Sequence, residues 1–75
     1  MELSDKELKF LKTLGTQIRR LRLEKNISQE DLAFEADLHR TYITGIEQGE
    51  RNISVTTLNR IGEALSFNFI KLNGK

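Results

Sequence analysis

The chain has 75 residues, in which 12 lysines and arginines stand against 11 aspartates and glutamates to give a net charge of +1. A chain this short buries only roughly 60 to 65% of the surface that its unfolded form exposes, so an oligomer is a reasonable expectation. It has no cysteine and one histidine, which excludes disulfides, thiolate zinc sites and a cluster of imidazole ligands. We therefore expect one domain over residues 1–75, with no metal and no other cofactor.

The amino-terminal stretch MELSDKELKF has no basic segment followed by an apolar run, and no long apolar run occurs elsewhere. Secretory signals and membrane-spanning helices both need such runs. We therefore expect a cytoplasmic protein.

The sequence pI of about 8.1 lies below the value of about 9 that by itself indicates a nucleic-acid-binding domain. The placement of the charges is more informative, because acidic residues gather between positions 30 and 37. The basic residues lie elsewhere, at Arg19, Arg20, Arg22 and Lys25 in one segment and at Arg40 and Arg51 in another. Such a polarised surface can bind phosphate despite a small net charge.

Ser4 and Glu7 have the spacing of a capping box, in which each side chain bonds to the other residue's backbone at a helix start. The apolar residues that follow recur every three or four positions, at Leu8, Leu11, Leu14, Ile18 and Leu21. This period predicts a first helix that ends near Lys25. Gly15 weakens a helix by up to about 1 kcal/mol relative to Ala, so the helix begins either at Ser4 or only near Thr13.

Residues 29–48, QEDLAFEADLHRTYITGIEQ, have apolar residues spaced for two short helices, each with one apolar face, separated by a tight turn. Asn26 ends the preceding helix in the left-handed conformation. Ala33 supplies the small side chain that is needed where the two short helices cross. Asp37 lies in the turn between them, where it tolerates a left-handed backbone better than most residues.

The second of these helices, about His39 to Gln48, turns Ile43 and Ile46 toward the core. The outward positions are then His39, Arg40, Thr41, Thr44 and Gly45. This outward set contains no acid and suits contact with the base edges and phosphates of DNA. The pattern is that of a helix-turn-helix, whose second helix reads DNA.

Gly49 ends the third helix, and an exposed loop follows it. Ser54 caps a fourth helix with an apolar face made of Val55, Leu58, Ile61, Ala64 and Leu65. This helix is predicted to be structural.

The last segment, about residues 66–73, is rich in aromatic and β-branched residues and lacks a strong helical period. As a strand it would place Phe67, Phe69 and Lys71 on one side and Asn68, Ile70 and Leu72 on the other. A lone strand is unstable in water, so it would pair with the same segment of a second copy across a two-fold axis. The predicted dimerisation residues are Phe67, Phe69, Ile70 and Leu72. The alternative is a short fifth helix that ends at Asn73 and Gly74.

Residues 29–48 closely resemble the helix-turn-helix of the phage repressor and Cro family, the Xre-like regulators, and the wider resemblance covers Gly15 to Leu65. Within that family, HRTYITGIEQGERNIS is similar to the controller proteins of restriction-modification systems. One departure is Asp37, where many members have glycine. The resemblance implies an all-α fold, a compact four- to five-helix lambda-repressor-like DNA-binding domain, with any C-terminal strand at the dimer interface.

The resemblance also implies roles for individual residues. It implies base contacts from Arg40 and Thr41, with Thr44 and His39 assisting. The residues that match usual phosphate-contacting positions are Gln29, Tyr42, Arg51 and Asn52. It further implies a structural ion pair between Arg22 and Glu47 that holds the third helix, which reads DNA, against the first.

Several of these residues have a purely structural alternative. Gln29 follows the helix cap Ser28 and lies beside exposed backbone N–H groups, where it either meets a phosphate or is simply solvated. Tyr42 is either a phosphate donor or half-buried packing, and Thr41 can instead serve the helix start. His39, alone near a helix start, is a cap or a phosphate neighbour rather than a metal ligand.

The leading function is a homodimeric, sequence-specific transcription regulator that reads an inverted repeat with half-sites about 34 Å apart or a multiple of it. Repression would follow from covering a promoter, and activation from contact with RNA polymerase. An antitoxin that also binds a toxin is a second candidate. A protein-interaction module of the same fold is a third, from a different class. Enzymatic activity is the weakest option, because the sequence has no paired-carboxylate pocket, supported nucleophile or glycine-rich phosphate loop.

Overall fold

The structure is a computed structural model that describes residues 2–70. This range contains four α-helices and no strand: α1 (Asp5–Glu24), α2 (Gln29–Ala36), α3 (Arg40–Glu47) and α4 (Val55–Leu65). The expected all-α fold is confirmed. Within the same range, no helix combines the length and apolar character that a bilayer crossing requires.

Helix α1 begins at the amino-terminal capping box rather than near Thr13. The Ser4 hydroxyl accepts from the Glu7 N–H at 3.1 Å, and the Ser4 N–H donates to the Glu7 carboxylate at 2.8 Å. The helix continues through Gly15 without a break. Gly15 is needed for packing, because a Cβ there would lie against the Ile46 carbonyl oxygen and 2.7 Å from that of Glu47.

Two polar residues take the left-handed conformations that the sequence predicts at the helix ends. Asn26, after α1, has φ of 62°, and Asp37, after α2, has φ of 58°. Ser28 caps α2 in a second box, in which its hydroxyl accepts from the Asp31 N–H at 2.9 Å. These short-range features determine where α1 ends and where α2 begins and ends.

The core lies where α2 packs against both α3 and α4, while α1 packs against α3. Its fully buried side chains are Ile18, Leu32, Ile43 and Ile61. Ala33 is buried at the crossing of the two short helices, as predicted. Val55 was expected on the apolar face of α4, and this is wrong: it is 68% exposed, because the first residue of the helix projects beyond the core.

The chain folds back on α4 after Leu65 and forms neither a fifth helix nor a strand over residues 67–70. Ser66 takes a left-handed conformation with φ of 56°, and the Phe67 N–H donates to the Gly62 carbonyl at 2.8 Å. Phe69 thereby packs against the core cluster. Gly62 permits this close return, since a Cβ there would lie 2.5 Å from the Phe67 carbonyl oxygen. Residues 71–73 of the predicted dimerisation segment, including Leu72, lie outside the described residues.

Candidate nucleic-acid interface

The first turn of α3 presents the predicted base-reading residues to solvent. Arg40 and Thr41 are both exposed, and His39 precedes them at the N-cap position. The His39 side chain makes no capping hydrogen bond, so its alternative role as a side-chain cap is not seen. On the opposite face of α3, Ile43 and Ile46 are buried. One end of the helix is therefore anchored in the core while its amino-terminal turn stands free.

The middle of α3 differs from the prediction at Gly45, which was expected to point outward but is buried. The Arg51 side chain covers it, and a Cβ at residue 45 would lie 2.7 Å from Arg51 Cγ. The Arg51 guanidinium carbon lies 5.4 Å from the ring centroid of the half-buried Tyr42. The loop after α3 thus returns a cation along the helix that carries Arg40, while Asn52 in the same loop is exposed.

A buried ion pair joins the end of α3 to α1. Arg22 Nε donates to Glu47 Oε2 at 2.6 Å and Arg22 Nη2 donates to Glu47 Oε1 at 3.1 Å. A third bond runs from Arg22 Nη1 to the Ile27 carbonyl at 2.9 Å. Both residues are only 7% exposed, so the pair is removed from solvent with its main polar atoms satisfied.

The Gln29 side chain, at the start of α2, is half-buried and hydrogen-bonded to α3. Its Nε2 donates to Glu47 Oε1 at 3.0 Å, and its Oε1 accepts from the Thr44 hydroxyl at 2.8 Å. These partners are 18 and 15 residues away in sequence, so no local pattern could have found them. Gln29 also lines a shallow hollow together with Arg22, Ser28, Glu30 and Arg40.

No group of histidine, aspartate or glutamate side chains suited to holding a metal ion occurs among residues 2–70. The polar groups at this surface are instead donors and acceptors carried on short helices.

A family model for the helix-turn-helix matches residues 18–71, which are most of the chain. The chain belongs to the helix-turn-helix family. The matched range contains α2, α3 and α4 together with the last third of α1. The expected resemblance to regulators of this family is confirmed.

Restriction-modification controllers are prominent among the relatives within this family. The control protein C.BamHI of Bacillus amyloliquefaciens is 56% identical over 52 residues, which are 68% of this chain and 64% of that protein. The crystal structure of the controller C.AhdI from Aeromonas hydrophila has a TM-score of 0.78 at 38% identity, covering 80% of this chain and 91% of that one. The chain thus spans about two thirds of the first relative and nearly all of the second.

A third relative has been solved with DNA. The controller C.Esp1396I, as a tetramer in complex with its natural 35 base-pair operator, has a TM-score of 0.74 at 41% identity and covers 79% of this chain and 78% of that one. Variants of it with single substitutions at three consecutive residues, an arginine, a threonine and a tyrosine, have also been solved. The same tripeptide occurs once in this chain, as Arg40, Thr41 and Tyr42 at the start of α3.

Proposed function

We propose that this protein is a sequence-specific transcription regulator of the restriction-modification controller type, which binds double-stranded DNA by placing α3 in the major groove. The observation that carries the proposal is the exposed first turn of α3 on a helix whose other end is fixed to α1 and α2 through Glu47. Recognition helices contact bases with their amino-terminal residues. A helix held at its far end can present those residues in one orientation.

Arg40 and Thr41 carry most of the base reading. The guanidinium of Arg40 can donate two bonds to guanine O6 and N7, the commonest specific contact in the major groove. Thr41 can contact a thymine methyl group. His39 and Thr44 flank this pair in the sequence and assist it.

Phosphate contacts position α3 in the groove. Arg51 supplies a cation whose guanidinium lies over the Tyr42 ring. The Tyr42 hydroxyl and the amide of Asn52, the next residue after Arg51, add two uncharged donors. Gln29 has one amide N–H beyond the one given to Glu47, and this N–H is the group that would donate to a phosphate. Phosphate contacts of this kind fix the register of a recognition helix along the duplex.

The protein acts as a homodimer on an inverted repeat. The fold-back after α4 leaves Phe67 37% exposed, and Ile70 shares a hollow with the exposed Val55. A second copy would cover these apolar groups together with Leu72. The dimer would hold its two α3 helices one helical turn of DNA apart, about 34 Å, or a multiple of it. Such a regulator works where the DNA is, in the cytoplasm, and contact with RNA polymerase would make it an activator.

Selection of bound sites from random duplex DNA tests this function. We expect the protein to enrich a two-fold symmetric site with guanine at one position of each half, where Arg40 reaches. The Arg40→Ala variant is the control and should enrich the same site without that guanine. If no sequence is enriched, the protein is not a sequence-specific regulator.

A further inference from the structure

We infer that Glu47 fixes, through Gln29, the direction of the hydrogen bond made by the Thr44 hydroxyl, so that Thr44 rejects guanine at the base it faces. The inference rests on the proposed DNA-binding function and adds a specificity rule to it. Thr44 would be a base-contacting residue that cannot donate a hydrogen bond. Gln29 would be a positioning residue, whose effect on base choice passes through Thr44.

The direction begins at Glu47. Its carboxylate is clamped by two nitrogen atoms of Arg22, at 2.6 and 3.1 Å, and its side chain is only 2% exposed. A carboxylate paired in this way is ionised and can only accept hydrogen bonds. Any third group that bonds to Glu47 must therefore be a donor.

That third group is the Gln29 amide, which has one end that donates and one that accepts. Its Nε2 donates to Glu47 Oε1 at 3.0 Å, which leaves its Oε1 facing Thr44. If the amide were reversed, Gln29 Oε1 would face Glu47 Oε1 with no hydrogen between the two oxygens. Glu47 therefore determines that the Thr44 hydroxyl faces the oxygen of the Gln29 amide and not its nitrogen.

The Thr44 hydroxyl has one hydrogen and two acceptors within the protein. Its Oγ1 lies 2.8 Å from Gln29 Oε1 and 3.2 Å from the Arg40 carbonyl oxygen. Because the single hydrogen is used between these two acceptors, none remains for DNA. Thr44 can offer a base only the lone pairs of its oxygen and its methyl group.

The four bases respond differently to such a group. In the major groove guanine presents only the acceptors N7 and O6, whereas adenine and cytosine present amino donors and thymine presents a methyl group. Guanine opposite Thr44 would bring acceptor against acceptor and leave both unpaired. The guanidinium of Arg40, one turn earlier on α3, has only hydrogen-bond donors and therefore suits guanine. The two residues would thus have opposite preferences along one helix face.

The test measures equilibrium binding to the selected operator and to its single-base variants at every position of one half-site. The base facing Thr44 is the position where Thr44→Ala changes the preference, and it should differ from the position that Arg40→Ala affects. There we expect guanine to weaken binding of the wild-type protein about fivefold to tenfold relative to the preferred base.

Two variants separate the hydrogen-bond direction from a general effect on folding. Gln29→Leu removes the nearer of the two acceptors and leaves the Thr44 hydroxyl only the Arg40 carbonyl at 3.2 Å. The hydroxyl can exchange that longer bond for one to guanine, so the guanine penalty should fall to about twofold or less. Thr44→Val keeps the shape and the methyl group but has neither a donor nor a lone pair, so the penalty for guanine relative to thymine should persist. Thermal unfolding of each variant checks that it is folded, and Thr44→Val decides the question if Gln29→Leu is not.

The inference is overturned if the wild type prefers guanine at that position and Thr44→Val loses the preference. It is also overturned if folded Gln29→Leu retains the full penalty, or if Thr44→Ala changes the preference nowhere. A wild-type protein that binds all operator variants equally would instead contradict the proposed function itself.

Discussion

Arg22 and Glu47 are 25 residues apart in the chain, yet they form a two-pronged buried ion pair that fastens the last turn of α3 to α1. The carboxylate also receives the Gln29 amide. The Glu47 carboxylate on α3 is therefore bonded to both α1 and α2, and it holds the helix that would meet DNA. A buried pair of this kind is sensitive to the loss of either partner, because the other charge is then left without compensation.

We expect Glu47→Ala to lower the free energy of unfolding by about 3 to 5 kcal/mol, because the buried Arg22 guanidinium loses its counter-charge. Urea or thermal unfolding would measure this loss. The double variant Arg22→Met with Glu47→Leu is the control, since it removes both charges and should recover a large part of the stability. A fully stable Glu47→Ala protein would show that the pair does not support the fold.

The close approach at Gly15 gives a second prediction. On an exposed helix Gly→Ala stabilises by about 1 kcal/mol, but here the new methyl group would meet the backbone carbonyls of Ile46 and Glu47. Backbone cannot move aside as a flexible side chain can. Overpacking costs about 1 to 3 kcal/mol, so Gly15→Ala should be destabilising on balance. Thermal unfolding of Gly15→Ala measures this loss. Thr16→Ala, at an exposed position of the same helix, is the control and should unfold at or above the wild-type temperature.

For Arg40→Ala we expect a loss of about 1 to 3 kcal/mol in binding to the cognate operator and a relaxed base preference at the position it reads. Binding to random duplex should weaken much less. Arg20→Ala is a matched control, because that arginine is exposed and paired with Glu24 on α1, away from the reading turn. Equal losses of Arg40→Ala on cognate and random DNA would assign Arg40 to phosphate contact rather than base reading.

Arg51 should contribute to affinity through charge. Each phosphate neutralised adds about 0.9 to the slope of log K against log salt concentration. Arg51→Ala should therefore reduce the magnitude of that slope by about 0.9 for each subunit bound, and Arg51→Lys should retain it. Titrations at several salt concentrations measure the slope. An unchanged slope in Arg51→Ala would remove this residue from the phosphate contacts.

The dimer contact can be tested with a matched pair of aromatic substitutions. Phe67→Glu would bring two like charges together across the two-fold axis. The dissociation constant of the dimer should therefore rise at least about tenfold. Phe34→Glu makes the same chemical change on α2, where Phe34 is 86% exposed, and should leave association unchanged. Analytical ultracentrifugation measures both. Equal association of the two variants would place the interface elsewhere.

The parts of the fold that follow from short-range chemistry were predictable from the sequence. The caps at Ser4 and Ser54 and the left-handed residues Asn26 and Asp37 each depend on bonds or dihedrals within a few positions. Such features are visible as residue types at fixed spacings. The apolar period then places Ile43 in the core for the same reason.

The features that sequence reasoning missed depend on contacts between distant parts of the chain. Gly45 is buried because the loop after α3 returns and lays Arg51 along the helix. Gln29 is engaged by partners on α3, and Ser66 turns the chain back because Gly62 leaves room for it. None of these has a local signature. Long-range contacts of side chains require the folded arrangement of the helices.

The most direct test of the account is a crystal structure of the protein on its selected duplex. We predict two copies on an inverted repeat, each with the amino-terminal turn of α3 in the major groove and the Arg40 guanidinium within hydrogen-bond distance of guanine O6 and N7. A complex in which Arg40 and Thr41 are buried between subunits, or face solvent away from the bases, would contradict it.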